Sequence, residues 1–244
     1  MDVSGKTILL TGGTSGIGRR LADQLKAKGA TVITTGRNAE RLEEIRGAGF
    51  EAIEADFTSA AGVEAVVTAW GDRPLDILIN NAGMGTTHDF REGQTSLTDT
   101  DDSIFTNLNA PIHLITHFMD RLRASASGSG AAMIVNVTSG VAIAPSVAAA
   151  TYCATKAALR SYTQSLRVQM KDFGIHVLEV LPPMVDTPMT AEFDAKKMTA
   201  EDCAATIVSA MERDKAEANV GIVSTLRIMN SISPKLAERL MLRF

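Results

Sequence analysis

The feature that most constrains this chain is a regular exchange between two kinds of segment. Short, nearly unbroken aliphatic runs alternate with longer stretches whose apolar residues recur at helical spacing. KTILLT (6–11), ATVITT (30–35), FEAIEA (50–55), LDILIN (75–80), AMIVNVTS (132–139), IHVLEVLP (175–182) and NVGIV (219–223) read as seven strands. Residues 18–29, 38–49, 59–70, 98–124, 151–174 and 200–214 read as helices, and ASGSGA (126–131) as a turn. Runs as apolar as TILLT, ILIN and IVNV suit strands covered on both faces, and strands joined through helices run parallel. The expected fold is α/β, doubly wound, with a predominantly parallel seven-stranded sheet and helices on both faces.

No linker divides the 244 residues, so one domain over 1–244 is expected, with a loop region at 183–199 and a helical extension at 224–244. The formal net charge of −4, without a block of like charge, argues against nucleic acid or an anionic membrane as partner. No apolar run reaches spanning length. The first residues, MDVSGKTILLTGG, do not form a secretion signal, because their apolar run is short and ends in glycine. Two cysteines, Cys153 and Cys203, are too few for a disulfide framework and read as free thiols. A cytoplasmic protein is expected. The four histidines do not make a metal set: His113 and His117 are one turn apart, but the pattern supplies no third ligand.

TGGTSGIG (11–18) follows the first strand and opens the first helix. Gly12, Gly16 and Gly18 permit a tight turn and close approach of a pyrophosphate, and the helix start offers free N–H groups to it. Thr14, Ser15 and Ile17 complete this cofactor loop, as expected of a Rossmann βαβ unit. It is not a P-loop, since no Gly-Lys-Ser/Thr follows. The second strand ends TTGRN (34–38). Gly36 stands where an acid would hold the ribose of NAD, and Arg37 next to it can pair with a 2′-phosphate. NADP(H) is therefore the preferred cofactor, with NAD(H) possible.

TYCATK (151–156) sets Tyr152 and Lys156 one helical turn apart. A tyrosine near pKa 10 is a poor acid at neutral pH, and a neighbouring ammonium is expected to lower that value. Ser139, at the end of the fifth strand, can hydrogen-bond a substrate oxygen near the phenol. The cofactor would supply the hydride.

Taken together, TGGTSGIG, NNAG (80–83), NVTSG around Ser139 and YCATK resemble the short-chain dehydrogenase/reductase family, in the family's order and over residues 6 to about 190. The resemblance implies a catalytic set of Asn107, Ser139, Tyr152 and Lys156, with Asn107 holding a water that links Lys156 to solvent. It adds Asp56 and Phe57 at the adenine, Asn81, Ala82 and Gly83 after the fourth strand, and Pro182, Val185 and Thr187 after the sixth. Lys156 would also hold the nicotinamide ribose. The implied activity is hydride transfer to or from a small carbonyl or alcohol. An NAD(H)-preferring dehydrogenase and a non-catalytic dinucleotide-binding sensor or scaffold are the alternatives. A homodimer or homotetramer is expected, with the helices at 98–124 and 151–174 as the dimer surface.

The sequence departs from the family after the sixth strand, where LPPMVDTPM (181–189) has Pro183 in place of the usual glycine. Met184, Met189 and Phe193 are candidates to close over a hydrophobic substrate, with Val141, Ile143 and Ala144 as the opposite wall. At the C-terminus, Ser233 and Pro234 start a helix whose Leu236, Leu240 and Phe244 share a face. That stripe is expected to bury against the core or a partner subunit.

Overall fold

Strand β1 (Thr7–Leu10) shows why the sheet needs cover on both sides: Ile8 and Leu10 point to one face, Leu9 to the other, and all three are fully buried. The computed structural model describes residues 1–91, 93 and 95–242. Six further strands follow: β2 (Thr31–Gly36), β3 (Glu51–Glu54), β4 (Ile77–Asn80), β5 (Ala132–Val137), β6 (Ile175–Leu181) and β7 (Glu217–Asn219). They pair in the order β3-β2-β1-β4-β5-β6-β7, parallel throughout.

One face is covered by α1 (Gly16–Ala27), α2 (Ala39–Gly47) and α7 (Ala200–Glu212), which bring Leu21, Leu25, Leu42, Ile45, Ile207 and Met211 against Ile8, Leu10, Ile77 and Ile79. The other is covered by α3 (Ala60–Trp70), α5 (Ala110–Ser129) and α6 (Ala150–Met170), where Val66, Trp70, Phe118 and Leu166 meet Leu9, Leu78 and Ile134. Trp70 and Phe118 touch edge to face, with ring centroids 5.6 Å apart. This is a doubly wound Rossmann-type α/β fold. None of the described helices is long and apolar enough to cross a membrane.

Three elements differ from the sequence expectation. The helical region at 98–124 is two helices, α4 (Leu97–Ile104) and α5, joined by a π-helical turn over Phe105–Asn109 that contains Asn107. The supposed turn at 126–131 is mostly helix, since α5 runs on to Ser129 and stops at left-handed Gly130 (φ +76°). The last strand is Glu217–Asn219, not 219–223: Gly221 turns the chain at φ +55°, Ile222 stands exposed, and Val223 begins α8 (Val223–Ile232).

Helix α9 (Pro234–Met241) starts at Pro234 as expected, but the Ser233 side chain makes no cap bond. Its buried residue is Ala237, whereas Leu236 and Leu240 are exposed within the chain, and Phe244 lies outside the described residues. Ala237 joins Ala144 and Leu226 in a small third cluster that fastens the loop after β5 to α8 and α9.

Candidate active site

The winding of the sheet reverses between β1 and β4, which are neighbours in the register Leu10 to Ile79. Loops leaving the C-terminal ends of two such strands part to opposite faces and leave a crevice between them. Here the two loops are stitched together. The Thr11 hydroxyl accepts the N–H groups of Asn81 (3.0 Å) and Ala82 (2.9 Å). The Asn81 amide donates to the carbonyls of Thr11 (2.9 Å) and Gly12 (3.2 Å). A Cβ on Gly12 would come within 2.9 Å of the Ala82 backbone, and one on Gly18 would strike the Gly12 carbonyl and sit 2.5 Å from Asn81 Nδ2.

Helix α1 begins at this crevice with its N-terminus open. Asn38, Ser96 and Thr199 cap α2, α4 and α7 with their own side chains, but Ser15 makes no such bond to α1. The first-turn amides of α1 are therefore left for a ligand, in a cleft lined there by Ser15, Gly16, Ile17 and Gly18. Glycines without room for a side chain and an uncapped helix start fit the pyrophosphate of a dinucleotide.

The cleft continues past Asn81, Ala82 and Gly83 to Ser139, Tyr152 and Lys156, and its other wall is Pro182, Pro183, Val185, Thr187 and Met189. Ser139 lies two residues beyond β5, and its Oγ accepts the Val141 N–H at 3.3 Å. Tyr152 and Lys156 lie one turn apart near the start of α6, with Nζ 5.7 Å from the phenol ring centroid. Lys156 is buried, 3% exposed, and its ammonium donates to the Val137 carbonyl at 3.0 Å. Burial lowers it to about 8. Burial also pushes the Tyr152 phenol up to about 12, against the hydrogen bond from Ser139, which pulls it down. The expected lowering by Lys156 is thus not what the site provides: removal from water outweighs other influences on the phenol, and the ammonium is turned to Val137.

Asn107 stands beside Gly83, where an added Cβ would lie 3.1 Å from its Oδ1 and 3.6 Å from Lys156 Nζ. Its side chain bonds two neighbours: Oδ1 accepts the Met84 N–H (2.9 Å), and Nδ2 donates to the Met84 carbonyl (2.8 Å) and Ser103 Oγ (3.1 Å). The π turn thereby holds the loop after β4 in place.

Not every expected residue reaches the cleft. Thr14, Arg37, Asp56, Phe57 and the buried Asn107 are outside its lining. Thr14 packs over Gly36, where a Cβ would meet its methyl group at 2.5 Å. Arg37 is exposed at the end of β2, and Asn38 beside it accepts the Arg41 N–H at 2.9 Å to start α2. Asp56 is exposed and accepts the Thr58 N–H, while Phe57 is buried in the core. Of the six residues expected to wall the substrate, Met189 lines the cleft and packs over Gly85, while Ala144 is buried in the third cluster. Val141, Met184 and Phe193 stand outside the lining, and Ile143 packs against the third cluster instead. His88 escaped the sequence reading: its Nδ1 lies 2.6 Å from Thr151 Oγ1, pinning the loop after β4 next to Tyr152. Cys153 faces Ser146 instead, its sulfur 3.4 Å from that residue's N–H.

A family model described as short chain dehydrogenase matches residues 6–198. The chain is 39% identical over 191 residues to the uncharacterized oxidoreductase DltE of Bacillus subtilis strain 168, covering 77% of this chain and 74% of that one. It is 34% identical over 191 residues to the serine 3-dehydrogenase of Agrobacterium fabrum strain C58, covering 75% and 74%. Among solved structures, a short chain dehydrogenase from Burkholderia cenocepacia J2315 in complex with NADP superposes with a TM-score of 0.85 at 22% identity, over 99% of both chains.

Proposed function

Because the chain belongs to the short-chain dehydrogenase family, we propose that it is an NADP(H)-dependent oxidoreductase acting on the carbonyl or alcohol carbon of a small, hydrophobic substrate. The observation that carries this reading is the cleft itself. One end is an uncapped helix start among glycines with no room for a side chain, and the other gathers a serine hydroxyl, a phenol and a buried ammonium.

A bound nicotinamide dinucleotide supplies the hydride. The residues of the chain do the rest. Ser139 holds the substrate oxygen, and Tyr152 exchanges the proton with it as general acid or base. A phenol raised to about 12 keeps its proton throughout the physiological range but is a weaker acid than a free tyrosine, so donation to the substrate oxygen relies on stabilising the charge that develops on the phenol. Lys156 keeps positive potential behind the phenol as negative charge develops on it. By the family resemblance Asn107 would hold a water behind Lys156, while its side chain bonds Met84 and Ser103.

At the far end of the cofactor, Gly36 offers no carboxylate to hold the free ribose of NADH, and an arginine follows it that can pair with a 2′-phosphate. The test is turnover of a panel of aldehydes, ketones and secondary alcohols with both coenzymes. Reduction of hydrophobic carbonyls with NADPH supports the reading. Coenzyme binding without turnover of any substrate would favour a sensor or scaffold, and a preference for NADH would remove the role of Arg37 while leaving the chemistry at Tyr152.

A further inference from the structure

Strand β6 carries a carboxylate in the middle of an apolar run. Glu179 is fully buried between Leu178 and Val180. Such a group is tolerated when its oxygens are paired, and here both are. Oε1 accepts the hydroxyl of Thr138 at 2.9 Å, and Oε2 accepts Nη1 of Arg160 at 2.7 Å. Arg160 extends a second arm to Glu217 on β7 at 3.3 Å, and Glu217 in turn lies 3.6 Å from Arg227 on α8.

The two partners of Glu179 sit at telling places. Thr138 immediately precedes Ser139; its N–H donates to the Val180 carbonyl at 2.8 Å, and its hydroxyl oxygen lies 3.0 Å from the same carbonyl. Arg160 is one turn beyond Lys156, which is one turn beyond Tyr152, so phenol, ammonium and guanidinium form one stripe along α6. Building on the catalytic reading of Ser139, Tyr152 and Lys156, we propose that Glu179 is a positioning residue: through Thr138 and Arg160 it fixes the strand end that carries Ser139 against the helix face that carries Tyr152 and Lys156. The bond from Lys156 to the Val137 carbonyl joins the same two elements. That bond, however, occupies a group the reaction needs, whereas the Glu179 bridge uses none. The ion pairs from Arg160 to Glu217 and from Glu217 to Arg227 reach α8, and Val223 at the start of that helix separately closes off Gly140, where a Cβ would lie 3.0 Å from its methyl group.

The sharpest perturbation is Thr138→Val. It removes one hydroxyl of nearly the same shape and leaves the Glu179–Arg160 pair and the Thr138 N–H bond in place. One lost hydrogen bond to a charged group predicts a fall in kcat of about tenfold, with the dissociation constant for NADPH unchanged, and Thr138→Ser should restore the rate. Glu179→Gln should act in the same direction and more strongly; if it does not fold, the threonine pair decides. Amide exchange read by mass spectrometry gives a measure independent of turnover: protection should fall over 138–143 in Thr138→Val, recover in Thr138→Ser, and stay unchanged across β1 and β2. An unaltered kcat, or a loss that serine does not restore, overturns the proposal. If the parent protein turns over no substrate, the functional reading falls by itself, and unchanged protection over 138–143 would then overturn the bridge.

Discussion

Replacing Arg37 with alanine tests how the chain chooses its coenzyme. The 2′-phosphate of NADPH carries close to two negative charges, and a well-formed charge-assisted bond to it contributes about 1.5–3 kcal/mol. Arg37 is exposed, so solvent screening places the expected loss at the lower end of that range. That corresponds to about a tenfold weaker affinity for NADPH, with NADH little affected. The parent preference for NADPH should also shrink as salt is raised, because the contact is at the surface. Full reversal needs an acid at position 36, and there the structure imposes a condition: a Cβ on Gly36 would meet the Thr14 methyl group at 2.5 Å. Gly36→Asp should therefore be damaging in the parent background and tolerated with Thr14→Ala, so the informative variant is Thr14→Ala/Gly36→Asp/Arg37→Ala. The assay is kcat/KM with each coenzyme, alongside direct titration of binding. A parent that prefers NADH, or an Arg37→Ala variant with the same coenzyme ratio as the parent, would refute the reasoning.

Other perturbations probe the cleft and the buried lysine. Lys156→Met removes an ammonium whose burial holds it at about 8 instead of 10.5. At neutral pH the native state carries that cost and the unfolded chain does not, so the variant should be more stable by up to about 3 kcal/mol at pH 7. The gain should fade between about pH 8 and pH 10.5, where the lysine of the unfolded parent also loses its proton; calorimetry at both ends of that window measures it, and a variant less stable than the parent at pH 7 would contradict it. Gly18→Ala drives a Cβ into the Gly12 carbonyl and should cost about a hundredfold or more in NADPH affinity. Gly47→Ala, in α2 with nothing within 4 Å of the new methyl group, should instead stabilise the protein by about 0.5–1 kcal/mol without changing coenzyme binding.

The parts of this protein legible in its sequence are those in which local spacing determines geometry. TILLT and ILIN had to be strands covered on both faces, and the glycine loop between a strand and a helix had to lie at the crevice. Tyr152 and Lys156 had to share a helix face. What escaped depends on contacts between distant segments. The alternation of small residues in ASASGSG resembles a turn, yet α5 carries it as far as Gly130. NVGIV has the composition of a strand, but the pairing with β6 falls on EAN, a polar stretch with no strand signature. The sign of the Tyr152 displacement was missed because one helical turn reveals proximity to Lys156 but not how deeply both groups are buried. Asn81 lines the cleft, and its amide also holds the glycine loop, a contact that only the fold reveals. Glu179 did leave a signal, a lone acid in an apolar run, and only the fold reveals that its partners flank Ser139 and Lys156.

The most direct test of the account is turnover and coenzyme binding measured side by side on Tyr152→Phe. The phenyl ring keeps the packing and the glycine loop is untouched, so the dissociation constant for NADPH should stay within about twofold of the parent. Loss of a general acid costs about 100- to 10,000-fold, so carbonyl reduction at saturating NADPH should fall to a per cent of the parent rate or less. A variant that binds NADPH normally and retains more than a few per cent of that rate would show that the proton comes from elsewhere, and would contradict the central claim.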